Sequence, residues 1–374
     1  MATSNSYHEI TACRSCGSEL LAQVIDFDSQ YISDFVSDGS TTGILAPLVV
    51  VRCAGCRLVQ LKHTVDRNLI YEKYWFESGI NEQMVDALRD VAVKTTQYAN
   101  LKEGDKVLDI GANDGTLLRS YPIPLHTIGV EPSQLAFKMK DVTTLIHGFF
   151  EDIPYADGEI KAITAVAMFY DLENPNVFLK EVKRLLAPDG VFVIQMNDLA
   201  SMLKNKTWDN IGHEHLEYYS LRTLAHILGG NGLQITDVEF NNVNGGSIRV
   251  YVHHYDDSRL FSPEGSILKT YREDVSMDEM RLKKFGLDIA SSTVKIQRFL
   301  DHEIAHGKKI YGYGASNRGN TILQYMGLTS KHLTAIADRN PEKWSKFTVG
   351  TNIPIWSEEE VRALKPDYLF VLPY

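Results

Sequence analysis

The chain has 374 residues, 44% of them hydrophobic and 23% charged, which is ordinary globular composition and enough chain for two or three domains. Its 38 basic and 48 acidic residues give a net charge of −10, which argues against nucleic acid as a main partner. The sequence has no apolar run of about 18 residues and no signal-peptide pattern. It therefore predicts a cytoplasmic protein without a membrane partner.

All four cysteines lie near the N-terminus, as the C-x-x-C pairs Cys13/Cys16 and Cys53/Cys56. Four thiolates complete a closed tetrahedral shell, so the pattern predicts a structural zinc ion. Two disulfides or four free thiols are the alternatives, and a cytosolic setting disfavours the disulfides. Because APLVVVRC predicts a strand that leads to the second pair, we expect a small zinc-binding β domain over residues 1–64.

A helical pattern follows, and an aromatic cluster that contains Tyr74 precedes its main part. The cluster either packs between domains or contacts a ligand. Tyr74 is therefore a candidate for substrate binding.

The stretch KVLDIGANDGTLL predicts a strand, a glycine turn bracketed by Gly111 and Gly115, and a helix. A second predicted strand, HTIGV, leads to Glu131, about 20 residues on, which suits the two hydroxyls of a ribose. An ordinary βαβ turn capped by Asp114 is the alternative. This D-x-G-x-x-x-G pattern with its acid resembles motifs I and II of the class I S-adenosylmethionine-dependent methyltransferases. The residues that we assign to the cofactor are Asp109, Gly111, Asn113, Gly115, Glu131, Pro132, Asp152 and Met168.

Further apolar runs, TTLIH, AITAVAMF and GVFVIQM, alternate with helix or turn signals. That alternation predicts a doubly wound α/β sheet with its ligand at the carboxyl ends of the strands. LQITDVEF and GGSIRVYVHHY predict an antiparallel hairpin at the edge of this sheet. We expect this central domain to cover residues 65–255.

His213, Glu214 and His215 stand together after the last of those runs. A histidine in a cleft moves protons near neutral pH, and a carboxylate beside it stabilises its charged form. The three residues lack the i, i+4 spacing of a helical zinc pair, which argues against a metal. A purely structural histidine remains the alternative.

Residues 256–306 predict a linker and then a long helix. The helix should run from Asp278 to His306. One side of it should carry Met280, Leu282, Phe285 and Ile289.

Residues 307–374 predict a second nucleotide-type α/β domain, because KKIYGYGASNRGNTI repeats the order strand, glycine turn, helix. Arg318 and Asn320 at the helix start would suit a diphosphate. A degenerate loop that only packs against the first domain is the alternative.

Together, these features resemble the three-domain sugar C-methyltransferases of deoxysugar biosynthesis over nearly the whole chain. The resemblance rests on the four cysteines, DIGANDG, HEH, NGGSIRVYV, and GYGASNRGNT followed by ADRNP. It implies a nucleotide-linked keto-deoxysugar substrate, methylated by S-adenosylmethionine at the carbon next to the ketone. It also implies that the C-terminal domain helps to hold the nucleotide sugar. Family members usually continue beyond the position of Tyr374, so the chain is expected to be either naturally short or truncated. Oligomeric state stays open.

The resemblance makes His215 the base and Glu214 its neighbouring acid, with His213 beside them. Loss of a proton next to a carbonyl needs a base and a group that stabilises the enolate. The family tyrosine before HEH is replaced here by Gly212, and its histidine after the fourth central strand is replaced within MFYDLENP. Tyr74, Tyr170 and Tyr218 are candidates for the missing hydroxyl. A sugar O-methyltransferase and a non-catalytic nucleotide-sugar binding protein are the alternative functions.

Overall fold

The computed structural model describes residues 6–37, 43–71, 74–256 and 278–373, and the side chain of Asp152 lies outside the described part. The strands are β1 (Tyr7–Glu9), β2 (Leu21–Tyr31), β3 (Phe35–Val36), β4 (Leu45–Cys53), β5 (Val59–Leu61), β6 (His63–Val65), β7 (Lys106–Ile110), β8 (His126–Glu131), β9 (Thr144–His147), β10 (Ile160–Val166), β11 (Leu186–Asn197), β12 (Glu217–Tyr218), β13 (Leu233–Asn241), β14 (Ser247–His254), β15 (Ile310–Tyr313), β16 (Ile336–Asp338), β17 (Phe347–Thr348), β18 (Ile355–Ser357) and β19 (Tyr368–Val371). The helices are α1 (Arg67–Tyr71), α2 (Glu82–Tyr98), α3 (Pro175–Leu185), α4 (Leu199–Asn205), α5 (Leu221–Gly230), α6 (Glu279–Ala305), α7 (Asn317–Tyr325) and α8 (Glu358–Ala363).

The central domain is built on a seven-stranded sheet in the order β13-β14-β11-β10-β7-β8-β9. The parallel strands are β11, β10, β7, β8 and β9. Strand β14 runs antiparallel to both β11 and β13. One face packs on α2 through Leu88 and Val91, and the other packs on α3 and α5 through Leu179 and Leu224. Because both faces are covered, the parallel strands are continuous apolar runs. The predicted doubly wound sheet with an edge hairpin is confirmed.

The helix predicted after the glycine turn is wrong. Within residues 111–125 the structure has only a 3₁₀ turn, Leu118–Ser120. Pro122 and Pro124 follow directly, and a proline inside a helix removes a hydrogen bond and clashes with the preceding turn. The prolines leave room for no more than a short helix after Gly115, and the ligand edge here is a loop.

The N-terminal domain forms a second sheet in the order β12-β5-β4-β2, and β12 belongs to the central part of the chain. Strand β4 matches the strand predicted from APLVVVRC, and the predicted small β domain is confirmed. A further strand, β3, pairs with β17 near the C-terminus. The N-terminal domain is thus tied by backbone pairing to both other parts of the molecule.

The long helix α6 has the predicted limits, with Asp278 as its N-cap and His306 as its C-cap. Leu282, Phe285 and Ile289 are buried as expected, but Met280 is 77% exposed. Met280 precedes Leu282 by two residues and so points to the opposite side of the helix. The predicted linker, apart from Asp256, falls on residues 257–277, which lie outside the described part.

The C-terminal domain is a four-stranded parallel sheet in the order β18-β16-β15-β19, with α7 after the second glycine turn. The second α/β domain is therefore confirmed. Across the described ranges, from Ser6 to Pro373 with their gaps, no helix combines the length and apolar character needed to cross a bilayer.

Candidate functional site

The four cysteines converge on one point of the N-terminal domain. Their sulfur atoms all lie within 4.8 Å of one another. The Sγ atoms of Cys13 and Cys56 are 3.6 Å apart, as are those of Cys16 and Cys53. Zinc–sulfur bonds of about 2.3 Å in a tetrahedron require sulfurs about 3.8 Å apart, so the set fits a structural zinc ion.

Polar groups around Cys13 favour its thiolate form, while burial raises the pKa of Cys53 and the Cys13 contact raises that of Cys56. The contact with Cys56 lowers the pKa of Cys13 below its ordinary value, and Gln60 adds to this by donating Nε2–H to Cys13 Sγ at 3.1 Å. Arg14 binds the Leu61 carbonyl at 2.7 Å and fixes the same loop. Such outer contacts orient metal ligands.

The first glycine turn lies at the carboxyl end of β7. Gly111 has φ +71, and a Cβ there would come within 3.2 Å of Met168, so this turn requires glycine. Met168 thus faces the turn from the end of β10. Gly115 closes the turn with φ +80. The structure brings Gly111, Gly115 and Met168 together at the edge where a doubly wound sheet binds its ligand.

Glu131 ends β8 and faces the same turn. Its carboxylate accepts N–H bonds from Asn113 at 2.8 Å and from Ser133 at 2.9 Å. A carboxylate offers about four acceptor positions, so two remain unused among the described residues. Glu131 therefore both shapes the loop and keeps free acceptor positions.

Three further residues predicted to bind the cofactor are Asp109, Pro132 and Asp152. Asp109 is buried within the sheet, accepts a 2.6 Å bond from Thr164 Oγ1, and has its pKa raised to about 7 by burial. The carbonyl of Pro132 accepts from His147 Nε2 at 3.1 Å. The side chain of Asp152 lies outside the described part. Asp109 therefore supports the loop from below.

The aromatic segment crosses over the glycine turn. Asn113 donates to the Phe76 carbonyl at 2.9 Å and accepts from the Ser78 N–H at 3.0 Å. Gln134, just after Glu131, binds the Tyr74 carbonyl at 2.9 Å. The side chain of Asn113 thus holds this segment, while its N–H binds Glu131.

The two histidines of the HEH segment point to different places. His213 is 5% exposed, and its Nε2 bonds the Ala46 carbonyl of β4 at 3.1 Å, inside the N-terminal domain. His215 lies across the ring of Tyr170, with centroids 4.3 Å apart. The structure therefore brings His215, but not His213, to the tyrosine-rich region between the domains.

The protonation pattern of His215 follows from one contact. Its Nδ1 lies 2.6 Å from the Asn210 carbonyl, which can only accept, so Nδ1 carries the hydrogen and Nε2 keeps a lone pair. Burial lowers the pKa of His215 below 6.5, while the Glu214 charge and the Asn210 bond act against that shift. His215 is thus a neutral imidazole with Nε2 as its basic atom.

Glu214 fills the space beside Gly212. A Cβ at Gly212 would lie 3.2 Å from Glu214 Oε2, so this carboxylate takes room that a larger residue would need. Tyr218 belongs to the same region, because burial and the Glu214 charge raise the pKa of its phenol. The phenol of Tyr74 also lies near Glu214 and near Glu131, which with burial raise its pKa.

Of the two C-terminal candidates, only Arg318 reaches this region. Its Nη1 donates to Asn210 Oδ1 at 2.9 Å and lies 3.4 Å from Asp209. Asn320 is 1% exposed and donates to the Asp34 carbonyl at 3.2 Å, in the N-terminal domain. Asn210 therefore contacts both His215 and Arg318.

Two parts of this site had no signal in the sequence. Asn210 acts partly through its main-chain carbonyl, which has no residue signature. Tyr71 and Asp171 form a hydrogen bond of 3.0 Å although 100 positions separate them. Asp171 stands in MFYDLENP, the segment that departs from the family pattern, and that departure was the one available hint.

Comparison with known families gives three matches that follow one another along the chain. Residues 13–71 match the family model "Putative zinc binding domain", residues 80–238 match "Methyltransferase domain", and residues 242–374 match "C-methyltransferase C-terminal domain". The C-methyltransferase NovU of Streptomyces niveus is 28% identical over 377 residues, covering 98% of this chain and 90% of that protein.

Two solved structures cover the methyltransferase part. The YcgJ protein of Bacillus subtilis is 16% identical with a TM-score of 0.38, over 46% of this chain and 99% of that one. A SAM-dependent methyltransferase from Aquifex aeolicus is 20% identical with a TM-score of 0.35, over 45% and 97%. At these scores neither structure bears on function. The three consecutive domain matches show an S-adenosylmethionine-dependent C-methyltransferase with a zinc-binding N-terminal domain and a C-methyltransferase C-terminal domain.

Proposed function

We propose that this enzyme methylates the carbon next to the ketone of a nucleotide-linked keto-deoxysugar, with His215 as the base that forms the enolate. The observation that carries the proposal is the Nδ1 bond of His215 to the Asn210 carbonyl, which leaves Nε2 as a proton acceptor. Burial keeps the imidazole neutral by lowering its pKa. A neutral base of this kind suits removal of a proton next to a carbonyl.

When bound, S-adenosylmethionine supplies an electrophilic methyl group. His215 Nε2 takes the proton from the sugar carbon, and the imidazolium that forms keeps its Nδ1 bond to Asn210. The Glu214 charge favours that cation, since it acts to raise the pKa of His215. Glu214 thus has the role of a neighbouring acid, while His213 acts through the N-terminal domain by its bond to Ala46.

For the cofactor, we propose that the free acceptor positions of Glu131 receive the ribose hydroxyls and that Gly111 lets the backbone approach the ligand closely. The remaining proposed contacts at this edge are Asn113, Gly115, Pro132, Asp152 and Met168, with Asp109 supporting the turn from beneath. Glu131 is suited to the role because two N–H bonds already fix its carboxylate.

For the substrate, we propose that Arg318 faces the diphosphate of the nucleotide sugar, since guanidinium groups pair well with phosphate. Tyr74 and Tyr218 are the proposed substrate contacts beside Glu214, since burial and the Glu214 charge raise the pKa of both phenols. Asn320 contributes by fixing α7 to the N-terminal domain.

The test is hydrogen exchange in heavy water with thymidine- and uridine-diphosphate keto-deoxyhexoses, in the presence of S-adenosylhomocysteine. We expect deuterium at one carbon next to the ketone, and loss of this exchange in His215→Asn. Since the pKa of His215 is below 6.5 and its neutral form reacts, the exchange rate should rise with pH and level off near neutrality.

His306→Ala is the matched control, because His306 also bonds a carbonyl through Nδ1 but lies exposed at the end of α6. It should exchange like the unaltered protein. Methyl transfer without exchange at any carbon would contradict the proposal and favour methylation of a sugar hydroxyl.

A further inference from the structure

The pair formed by Tyr71 and Asp171 has no role in the steps described so far. Tyr71 is the last residue of α1, and its hydroxyl donates to Asp171 Oδ2 at 3.0 Å. Asp171 closes the 3₁₀ turn that follows β10, the strand beside β7. It therefore lies at the same edge of the sheet as the glycine turn.

The second oxygen of this carboxyl group is unsatisfied. Oδ1 of Asp171 is closed off from solvent and has no hydrogen-bond partner among the described residues. A buried polar group without a partner destabilises the protein, so a ligand oxygen placed there would relieve that cost. Unsatisfied polar atoms in native proteins call for such an explanation.

The groups that face Asp171 are carboxyls and phenols. Glu214 of the HEH segment and Glu217 of β12 raise its pKa further after burial, while the Tyr71 bond lowers it; the net pKa stands well above its ordinary value. Its other neighbours are the phenols of Tyr74, Tyr170 and Tyr218, on which its charge acts. Arg318, which acts on two of these phenols, is engaged by Asn210. The neutral carboxyl is thus favoured, and it has a hydrogen to donate.

Asp171 is also linked to the proposed base through Tyr170 and Glu214. Tyr170, its neighbour in sequence, packs its ring on His215 with centroids 4.3 Å apart. Glu214, next to His215 in sequence, is the charge that acts most strongly on Asp171. Enolate formation needs a base at the carbon and a donor at the oxygen, and one region holds both.

We infer that Asp171, positioned by Tyr71, donates a hydrogen bond to the carbonyl oxygen of the keto sugar and stabilises the enolate oxygen. This role rests on the proposed function. The C–H proton goes to Nε2 of His215, and the electron pair moves to the ketone oxygen. The C–C bond then forms as the S–CH₃ bond breaks, its electron pair stays on sulfur, the ketone returns, and Asp171 keeps its proton. Asp171 is a catalytic residue in this account, and Tyr71 is a positioning residue.

The experiment is the same exchange assay, followed over a series of pH values. Asp171→Ala should slow exchange about 100-fold, the usual cost of removing one oxyanion donor. Asp171→Asn keeps a donor and the same shape, so it should retain most of the rate. Asp301→Asn, on the exposed face of α6, is the matched control and should behave like the unaltered protein.

The pH profile separates this role from a structural one. A neutral Asp171 gives a falling limb at high pH, in addition to the rising limb of His215. That falling limb should vanish in Asp171→Asn. It should move to higher pH in Tyr71→Phe, because the Tyr71 bond lowers the pKa of Asp171.

Two outcomes are kept apart by this design. If the unaltered protein transfers methyl groups but shows no exchange, the proposed function fails and the inference fails with it. If exchange depends on His215 but survives Asp171→Ala at the control rate, or if the falling limb persists in Asp171→Asn, only the inference is overturned. Thermal unfolding and cofactor affinity of each variant report whether it folds.

Discussion

The molecule contains two turns of the same design, one in the central sheet and one in the C-terminal sheet, and the acid beside each turn has different contacts. In the central turn, Glu131 of the neighbouring strand accepts from Asn113 and Ser133 and keeps acceptor positions free. In the C-terminal turn, Asp338 occupies the corresponding position, but two N–H groups and a lysine lie around its carboxylate. It accepts from Ala315 at 2.7 Å and from Asn340 at 2.8 Å.

The C-terminal turn is also filled from within. The Lys343 ammonium group lies 3.8 Å from Asp338 and donates to the Ala315 carbonyl at 2.6 Å, inside the loop. Ser316 caps α7, so the first N–H groups of that helix are partly taken. On the proposed assignment of the cofactor site, the difference between the two turns is that Lys343 occupies only the C-terminal one. We infer that the C-terminal turn serves chiefly to place Arg318.

The strongest test of this difference is cofactor affinity. Glu131→Ala should weaken S-adenosylmethionine binding about 100-fold, near 3 kcal/mol, because bonds to a charged acceptor are lost and the loop loses its anchor. Asp338→Ala should change it less than about twofold by the same measure. Titration calorimetry of both variants measures their affinity for S-adenosylmethionine. Equal losses of affinity would contradict the difference inferred between the two turns.

Asp338→Ala should lower stability, although it should hardly change cofactor affinity. Asp338→Ala leaves the Ala315 N–H unpaired and Lys343 buried without its counter-charge, which should lower the free energy of unfolding of the C-terminal domain by about 2 kcal/mol. Hydrogen exchange of the β15 and β16 amides in urea measures this. Glu359→Ala, which removes an exposed carboxylate from α8 in the same domain, is the control and should leave those amides unchanged.

A smaller effect is expected at Arg318. Arg318→Lys loses the planar contact to Asn210 and should lower kcat/KM for the nucleotide sugar about tenfold, with cofactor affinity unchanged. Arg339→Lys is the control, since Arg339 is an exposed arginine paired with Glu358. An equal fall in cofactor affinity would show that Arg318 supports the fold rather than the substrate.

The smallest effect concerns the central turn itself. Gly111→Ala and Gly104→Ala both place a side chain at positive φ, at a cost of about 1–2 kcal/mol. An added Cβ at Gly104 meets nothing within 4 Å, whereas at Gly111 it lies 3.2 Å from Met168. The midpoint temperature of thermal unfolding should therefore fall further for Gly111→Ala than for Gly104→Ala. Only Gly111→Ala should bind the cofactor more weakly.

The sequence predicted the strands well and the side-chain directions poorly. The apolar runs KVLDI and HTIGV match β7 and the first five residues of β8, because strands buried on both faces carry an uninterrupted apolar pattern. The helix after Gly115 was wrong, since Pro122 and Pro124 override the local pattern. The zinc cluster was correct, because four cysteines in two pairs have few other uses in such a chain.

The candidate site was only partly accessible to such reasoning. Sequence spacing cannot decide which of His213 and His215 faces a pocket, because that depends on the N-terminal domain against which His213 packs. The Tyr71–Asp171 pair joins residues far apart in the chain and depends on burial rather than on a motif. Groups that act through burial therefore become visible only in the folded molecule.

Strand β12 has a consequence for how the protein is made. It directly follows the HEH segment and fills one edge of the N-terminal sheet, pairing Glu217 with Gln60 and Tyr218 with Val59. During synthesis, the N-terminal sheet must wait for more than half of the chain to leave the ribosome before its edge at β5 is covered. An unpaired edge invites association with other chains, so a fragment ending before Glu217 should aggregate. Completion of that sheet and placement of His215 against Tyr170 are then a single folding event.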